Sequence, residues 1–339
     1  MSEFGESPSS GWLGRAFSAG SAQHRSLEEV QDGLFLDAGN RREKGATFWV
    51  LLVLATVIAA GGVITNSTAT VVGAMIIAPL GTPIFGAALA VAAGYERRLL
   101  GALAFLVLGI AVAVAIGAII GRVFPMRMPL SINPQVTGRT SPAILDLVVA
   151  VATGVVGAYG LTRRDVAAVL PGVAIAISLV PPLAVVGITA GAGQFHLALG
   201  ALLLFLSNVI AILVAGVAVF ALSGYRQEAH ENNPRLRRRA VWIIAAVLLA
   251  LLVPLGLSSL RVIQYNRWID TSTTATQNWL RGTGWTLDSV EVEGTAIRIT
   301  VTGEGTPGSI GQLRSAVRGV VPATVPVLLI ENEGTEVGI

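Results

Sequence analysis

Residues Val71 to Ala93 read VVGAMIIAPLGTPIFGAALAVAA, an uncharged stretch that is long enough to cross a bilayer. The run PLGTP occupies positions 79–83, in the middle of this stretch. Because proline lacks an N–H and its ring clashes with the carbonyl four residues earlier, the run predicts a break in the helix. In lipid, protein or trapped water must satisfy the backbone groups that such a break frees. Broken helices near the bilayer midplane bind cargo in many transporters, and a packing kink without cargo is the alternative.

The composition is typical of an integral membrane protein with a polar appendage. Of the 339 residues, 53% are hydrophobic and 13% are charged, whereas soluble domains carry about 25% charged residues. The chain has no cysteine, and its three histidines lie far apart in the sequence, so we expect no metal site, no cofactor and no enzymatic activity. The net charge of +3 comes with basic residues in short loops, which indicates the anionic inner leaflet as partner and not nucleic acid.

Seven apolar segments are long enough to be membrane crossings. They cover residues 46–65, 69–93, 99–121, 143–160, 166–191, 196–222 and 240–258. Residues 1–44 are polar and carry no signal-peptide pattern, and we expect them in the cytoplasm. Within them, Leu27, Val30, Leu34 and Leu36 lie roughly on one helical face, so an interfacial helix and a disordered tail both stay open.

The orientation follows from the lysines and arginines that flank these segments. With the N-terminus inside and every segment spanning, twelve basic residues flank the inner side and three lie in the outer loops. If segments 69–93 and 166–191 were re-entrant, the inner count would be eleven and the outer count four. Both arrangements place the N-terminus in the cytoplasm and the C-terminal region outside the plasma membrane. We favour spanning, because each segment has the length of a full crossing.

An internal repeat relates the opening stretch to a second one. Residues 73–103 align without gaps with residues 172–202, and 10 of 31 positions are identical, including Pro83 with Pro182. The two copies would each hold three crossings, so the second copy enters the membrane from the opposite side. Paired breaks in an inverted repeat point to a transport site, and a duplicated structural bundle is the competing interpretation.

The run TNSTATVVGAMIIAPLGTPIFGAALA (65–90), with LPGVAIAISLVPPLAVVGI (170–188), resembles the uncharacterised hydrophobic membrane family of bacteria and archaea known as domain of unknown function 389. The resemblance covers about residues 46–222. It implies a protein that crosses the membrane several times, and it supplies neither a substrate nor functional residues.

The candidate site is made of the two breaks and one buried amide. The residues predicted to contact a substrate or ion are Pro79, Gly81, Thr82, Pro83, Ser178, Pro181, Pro182 and Asn208. The half-helices that begin after the breaks offer N–H groups and a positive dipole end to an anion or polar solute, and the preceding carbonyls offer ligands to Na⁺ or K⁺. The alternatives are a Thr82 or Ser178 hydroxyl that binds its own backbone and an Asn208 amide that binds a neighbouring helix.

The remainder of the chain predicts a seventh helix and a small domain. We divide the chain into a cytoplasmic segment (1–44), repeat one (45–122), an outer loop (123–142), repeat two (143–222), a basic linker with the seventh transmembrane helix (223–259) and an extracytoplasmic domain (260–339). Residues 261–281 suit a helix, and alternating apolar residues around Gly294 predict a hairpin. A further helix and strand follow, which gives a soluble α/β domain of order α-β-β-α-β.

The predicted fold is therefore an all-α polytopic membrane protein with a 3+3 inverted-repeat bundle, two proline-broken helices, a seventh transmembrane helix and this α/β domain. We expect a transporter or channel for a small ion or polar solute. The alternative is a non-transporting oligomeric scaffold or stress sensor whose outer domain binds a partner. Runs of glycine and alanine favour close helix packing, within one bundle or between the subunits of an expected homo-oligomer. Asp146 is the one acid within the apolar segments, which argues against a classical proton antiporter.

Overall fold

The computed structural model describes residues 23–124, 128–166, 179–225, 229, 233–293, 296–303, 309–319, 321–322 and 325–333. The chain divides between Gly256 and Leu257 into two compact units. The first unit is helical throughout its described part, and the second combines a helix end, three strands and a further helix.

The first unit contains nine helices within the described residues, and a tenth continues from it into the second unit. In chain order they are α1 (Leu27–Leu34), α2 (Arg41–Ile64), α3 (Thr68–Ile77), α4 (Gly81–Ala93), α5 (Glu96–Val123), α6 (Pro134–Thr140), α7 (Ile144–Thr162), α8 (Val180–Gly191), α9 (Phe195–Leu222) and α10 (Pro234–Leu280). A short 3₁₀ turn, Leu130–Ile132, precedes α6.

Four helices of the described chain are long and apolar enough to cross a membrane: α2, α5, α7 and α9. The pair α3 and α4 qualifies together as one span or re-entrant loop, bent by 44°. The break predicted in segment 69–93 is thus present. Helix α8 forms the second half of segment 166–191, and the first half of that segment lies outside the described residues. Residues 240–258 are helical within α10, and their crossing of the membrane stays a prediction.

The prolines place the break in the opening stretch. Helix α3 ends at Ile77, and Ala78 adopts an extended backbone (φ −64°, ψ 123°) before Pro79. Residues that precede a proline are pushed towards this conformation by the proline ring. Helix α4 then begins at Gly81, and every residue from Pro83 to Ala93 is buried. The first half-helix is more exposed, because Ile76 and Ile77 lie at the surface of the chain.

The long loop before α7 folds against one end of the bundle. Asn133 caps α6 by accepting from the Gln135 N–H, and its side-chain amide donates to the Val63 carbonyl at 2.8 Å. The Gln135 amide donates to the Thr68 hydroxyl at 2.7 Å. These bonds join α6 to the end of α2 and to the start of α3.

The second unit has the predicted order α-β-β-α-β. After the C-terminal part of α10, strands β1 (Thr286–Glu293) and β2 (Ala296–Gly303) pair antiparallel. Helix α11 (Ile310–Arg318) then leads to β3 (Val327–Glu333), which pairs parallel with β2. The core of this unit contains Trp268, Leu280, Trp285, Ile297, Ile299, Val301, Leu313, Val317 and Val321. The apolar residues of β2 alternate as a sheet with one buried face requires.

Candidate functional site

At the first break, prolines remove the helical N–H donors of two carbonyls, and one of these carbonyls accepts a hydrogen bond from another N–H. Pro83 cannot donate to the carbonyl of Pro79, and the Thr82 N–H donates to that carbonyl instead, at 3.1 Å. Pro79 likewise has no N–H for the carbonyl of Met75, four residues earlier in α3. The chain therefore turns at the break through a hydrogen bond between residues i and i+3. The Met75 carbonyl, in the last turn of α3, is left without its helical donor.

An open cavity of about 530 Å³ lies beside this break. Its lining residues are Asp32, Gly33, Leu36, Asn40, Glu43, Lys44, Thr47, Phe48, Leu51, Pro79 and Thr82. The Lys44 ammonium lies 2.6 Å from the Asp32 carboxylate and also donates to the Asp32 carbonyl. The Asn40 amide donates to the Glu43 carboxylate. A volume of this size is ordinary for a small-molecule site.

An apolar layer closes the bundle behind the break. Leu52 and Leu80 are fully buried and Phe48 is nearly so, and all three meet at Gly109 of α5. A Cβ at Gly109 would lie 3.2 Å from Leu80 Cδ2 and 3.3 Å from Leu52 Cδ2. The cavity reaches Pro79 and Thr82, and Phe48 of this layer also lines it.

The buried hydroxyls of the interior bind carbonyls of their own helices. Thr56 donates to Leu52, Thr189 to Val185 and Ser207 to Leu204, at distances from 2.7 to 2.8 Å. Hydroxyls that bind the backbone of their own helix were the alternative to a binding site in the sequence analysis. These groups do not form a continuous polar path from Thr82 to Asn208 among the described residues.

The second half of the predicted site is only partly within the described structure. Pro181 and Pro182 are buried in the first turn of α8, which begins at Val180. Ser178 lies outside the described residues. Of the predicted residues, Pro79 and Thr82 share a cavity, whereas Pro83, Pro181, Pro182 and Asn208 do not line it. Gly81 begins α4 and is partly exposed.

Asn208 has the one buried side-chain polar atom of α2 to α9 that finds no partner within the described residues. The residue is 9% exposed in the middle of α9, and its Oδ1 atom accepts no hydrogen bond there. The alternative considered from the sequence was a hydrogen bond from the Asn208 amide to a neighbouring helix, and no such bond is observed in the described part of the chain. A buried amide oxygen without a donor carries a cost of about 1–3 kcal/mol unless a ligand or water satisfies it.

The helices of the two halves correspond at an offset of 99 residues. Helix α5 covers residues 96–123 and α9 covers residues 195–222, and α4 and α8 begin 99 residues apart. Gly94 and Gly193, also 99 residues apart, both adopt the left-handed conformation, with φ of +82° and +77°. Glycine suits this conformation because it lacks a Cβ.

In what we call the exchanged packing, a helix of each half packs against a helix of the other half at equivalent positions. A Cβ at Gly117 of α5 would lie 2.8 Å from the Ala184 carbonyl oxygen and 3.1 Å from Gly187 Cα, both in α8. At the equivalent position of α9, a Cβ at Gly216 would lie 2.8 Å from Ala88 Cβ and 3.4 Å from the Phe85 ring, both in α4. Phe85 and Ala88 precede Ala184 and Gly187 by 99 residues, so the same pair of positions meets in both interfaces.

Residues 23–39, which we call the N-terminal strap, join one end of both halves. The Arg25 N–H donates to the Thr162 carbonyl at the end of α7, at 2.8 Å, and the Tyr225 hydroxyl donates to the Arg25 carbonyl at 2.8 Å. Asp37 forms an ion pair with Arg98 at 3.0 Å, and the Arg98 guanidinium lies over the Phe35 ring. The sequence indicated the apolar face of α1 but gave no sign of these partners.

Among the described residues, three side chains near helix ends have a shifted pKa. Hydrogen bonds from Arg163 lower the pKa of the exposed Asp165 carboxyl, and the same bonds raise the pKa of the Arg163 guanidinium. Burial lowers the pKa of the Arg139 guanidinium, which donates to the Gln135 carbonyl at 2.8 Å. Both arginines keep their charge at neutral pH, because a guanidinium is effectively always protonated in proteins.

Comparisons with known proteins confirm the resemblance seen in the sequence. Residues 75–214 match the family described as "Domain of unknown function (DUF389)". An uncharacterized protein of Methanocaldococcus jannaschii is 28% identical over 207 residues, which cover 60% of this chain and 63% of the relative. The chain therefore matches less than two thirds of the length of that relative. No solved structure matches the chain.

Proposed function

We propose that the chain is a membrane transporter or channel for a small ion or polar solute, built as a 3+3 inverted repeat with its site at the two broken segments. Its apolar helices agree with a membrane-embedded protein, and the matched family has no described activity. The proposal includes α10 as the seventh crossing, an orientation with the N-terminus in the cytoplasm, a homo-oligomeric assembly in the plasma membrane and no enzymatic activity.

The exchanged packing supports the repeat. Helix α8 of the second half packs on α5 of the first half at Gly117, and α4 of the first half packs on α9 of the second half at Gly216. A pseudo-two-fold axis relates two such interfaces, which is the arrangement of inverted-repeat transporters. A bundle in which each half packed only within itself would need no such correspondence.

The observation that carries the proposal is the cavity at the first break. Pro79 and Thr82 line it together with Phe48, which meets Leu52 and Leu80 at Gly109 in an apolar layer. A site that opens to one side of the membrane at a time is what alternating access requires. The apolar layer then acts as a closed gate, because a narrow hydrophobic constriction excludes water and ions.

Two observations favour the scaffold hypothesis. The interior hydroxyls are satisfied within their own helices, as they would be in a bundle that conducts nothing. Strand β3 of the second unit also exposes Leu328 and Ile330. Such side chains on an edge strand suit the binding of a protein partner.

Flux through liposomes tests the proposal. The purified full chain is reconstituted, and release of a panel of small cations, anions and neutral solutes is measured for the wild type and for Leu52→Ala. We expect flux of at least one solute, and we expect Leu52→Ala to increase it severalfold, because truncating this side chain widens the apolar layer.

Leu54→Ala provides the matched control, since Leu54 lies on the same helix and is 51% exposed. Its flux should equal that of the wild type. Both variants are first shown to be monodisperse and helical, because a buried Leu→Ala change costs about 2–5 kcal/mol. If neither the wild type nor Leu52→Ala passes any solute of the panel, the transport proposal is wrong and the scaffold hypothesis replaces it.

A further inference from the structure

We infer that the proposed pathway conducts monovalent cations and rejects anions; this inference rests on the proposed function. The sequence left both kinds of ion open, because a half-helix start offers N–H donors and a half-helix end offers carbonyl acceptors. The structure allows the donors and acceptors around the two breaks to be compared.

The start of α4 has few donors for an anion. Helix N-termini bind anions through free N–H groups in the first turn. In α4 the Thr82 N–H already donates to the Pro79 carbonyl, and Pro83 has none. The N–H groups of Leu80 and Gly81 are what the first turn retains.

The start of α8 is poorer still. Its first three residues are Val180, Pro181 and Pro182, so two of the three N–H groups that would face an anion do not exist. Proline is well tolerated at the start of a helix, and it therefore costs the fold little here. Two helix starts that each lose first-turn donors are poorly suited to an anion.

The acceptors, in contrast, remain. The Asn208 Oδ1 atom is buried in a residue that is 9% exposed and has no donor among the described residues. At an offset of 99 residues Asn208 corresponds to Gly109, whose Cβ position faces Leu80 at the first break. By this correspondence Asn208 occupies the register position that faces Leu179, the residue before α8. Pro79 has no N–H to donate to the Met75 carbonyl, so this carbonyl adds a further acceptor at the first break.

The charge of the cavity agrees with these acceptors. Asp32 and Glu43 line it together with one cation, Lys44. Lys44 is paired with Asp32 at 2.6 Å, whereas the Glu43 carboxylate accepts from a neutral amide. The cavity therefore has a net negative charge that attracts cations. Deeper in the bundle the acceptors are neutral oxygens, which suit a monovalent cation, since Ca²⁺ sites in proteins are built with carboxylates.

Reversal potentials test the inference. The full chain is reconstituted in planar bilayers, and the potential at zero current is measured across a KCl gradient and then across an NaCl gradient. We expect the sign of a cation-selective pathway, with potassium at least about tenfold more permeant than chloride, as a difference of about 1.4 kcal/mol gives.

Three variants relate the selectivity to the residues. Asn208→Leu removes the unpaired oxygen and should lower the potassium flux about tenfold or more, whereas Asn208→Asp keeps an oxygen and should keep the cation flux. Ser207→Ala is the neighbouring control, because the Ser207 hydroxyl binds the Leu204 carbonyl of its own helix. The double variant Pro181→Ala, Pro182→Ala restores two N–H donors and should lower the potassium-to-chloride permeability ratio.

The possible outcomes distinguish a failure of the cation inference from a failure of the proposed transport function. A chloride-selective current, or equal permeability to both ions, overturns the cation inference and leaves transport standing. No current with either salt, together with no liposome flux of any solute, overturns both. A potassium current that Asn208→Leu leaves unchanged, in a variant that is folded and monodisperse, also overturns the role of Asn208.

Discussion

Replacing Gly187 with alanine tests the close contact between α5 and α8. A Cβ at this position would meet the Val114 carbonyl oxygen and lie 2.7 Å from both the Ala118 nitrogen and Gly117 Cα. All of these atoms are backbone of α5, so no side chain can rotate away. Since ordinary contact begins at 3.4 Å, α5 and α8 must separate by about 0.7 Å for these two atoms and by more for the nearer Val114 carbonyl oxygen. Overpacking of this kind costs about 1–3 kcal/mol.

The assay is thermal unfolding of the purified protein in detergent, followed by far-UV circular dichroism. A cost of about 2 kcal/mol lowers the melting temperature by about 4–8 °C in a domain of this size. Gly216→Ala should have a smaller effect, because its Cβ would make one tight contact, with Ala88 Cβ at 2.8 Å, whereas the Phe85 ring lies at 3.4 Å. Gly73→Ala is the control, since no heavy atom lies within 4 Å of its added Cβ and alanine favours the helix.

The expected order of melting temperatures is thus Gly73→Ala at or above wild type, then Gly216→Ala, then Gly187→Ala. If Gly187→Ala melts together with Gly73→Ala, α5 and α8 do not approach as described. The exchanged packing would then lose its support, and the inverted-repeat proposal would lose its main argument.

Three further predictions concern the two ends of the bundle. In this cysteine-free chain, a single cysteine placed at Arg97 should react with an impermeant maleimide from the cytoplasmic side and one placed at Ser131 from the outer side, whereas the reverse sides would contradict the broken-span arrangement and favour a re-entrant loop. Gln135→Leu removes the 2.7 Å bond to the Thr68 hydroxyl and should cost about 0.5–1.5 kcal/mol of unfolding free energy, whereas unchanged melting would contradict it. Tyr225→Phe removes the bond to the strap and should accelerate trypsin cleavage at Arg25; an unchanged rate would show that the strap is held elsewhere.

The parts of the fold that local chemistry decides could be predicted from the sequence. Pro79 and Pro83 exclude a continuous helix, because the bonds they lack are only four residues away. The alternation of Ile297, Ile299 and Val301 indicated a strand with one buried face, and all three are fully buried on β2. In each case the signal and the structure that it determines lie within one turn or one strand.

The N-terminal strap could not be predicted, for a physical reason. Its apolar face was visible at Leu27, Val30 and Leu34, and these residues are buried against the bundle. Its partners are distant in sequence, however, and backbone groups such as the Arg25 N–H and the Thr162 carbonyl carry no side-chain signature. The same applies to the site, where Thr82 was predicted but its charged neighbours Asp32 and Lys44 were not.

The strap also bears on whether the opening stretch crosses the bundle. Lys44 and Arg98, near the starts of α2 and α5, both pair with the strap, and therefore lie at one end of the bundle. Val63 and Thr68, at the end of α2 and the start of α3, bind α6 at the other end. The chain between Thr68 and Arg98 must travel back along the length of α2, which is about 36 Å at 1.5 Å per residue.

A re-entrant loop would return to the end from which it started. Helices α3 and α4 together hold 23 residues, which rise by about 35 Å, and this matches the length of α2. The bend of 44° between them therefore lies within a stretch that traverses the bundle. In the second half, Thr162 and Tyr225 both bind the strap, whereas Gly200 lies against the carbonyl of Thr140, the last residue of α6, so α7 and α9 each run between the two ends of the bundle. For the opening stretch, these contacts favour a broken span over a re-entrant hairpin.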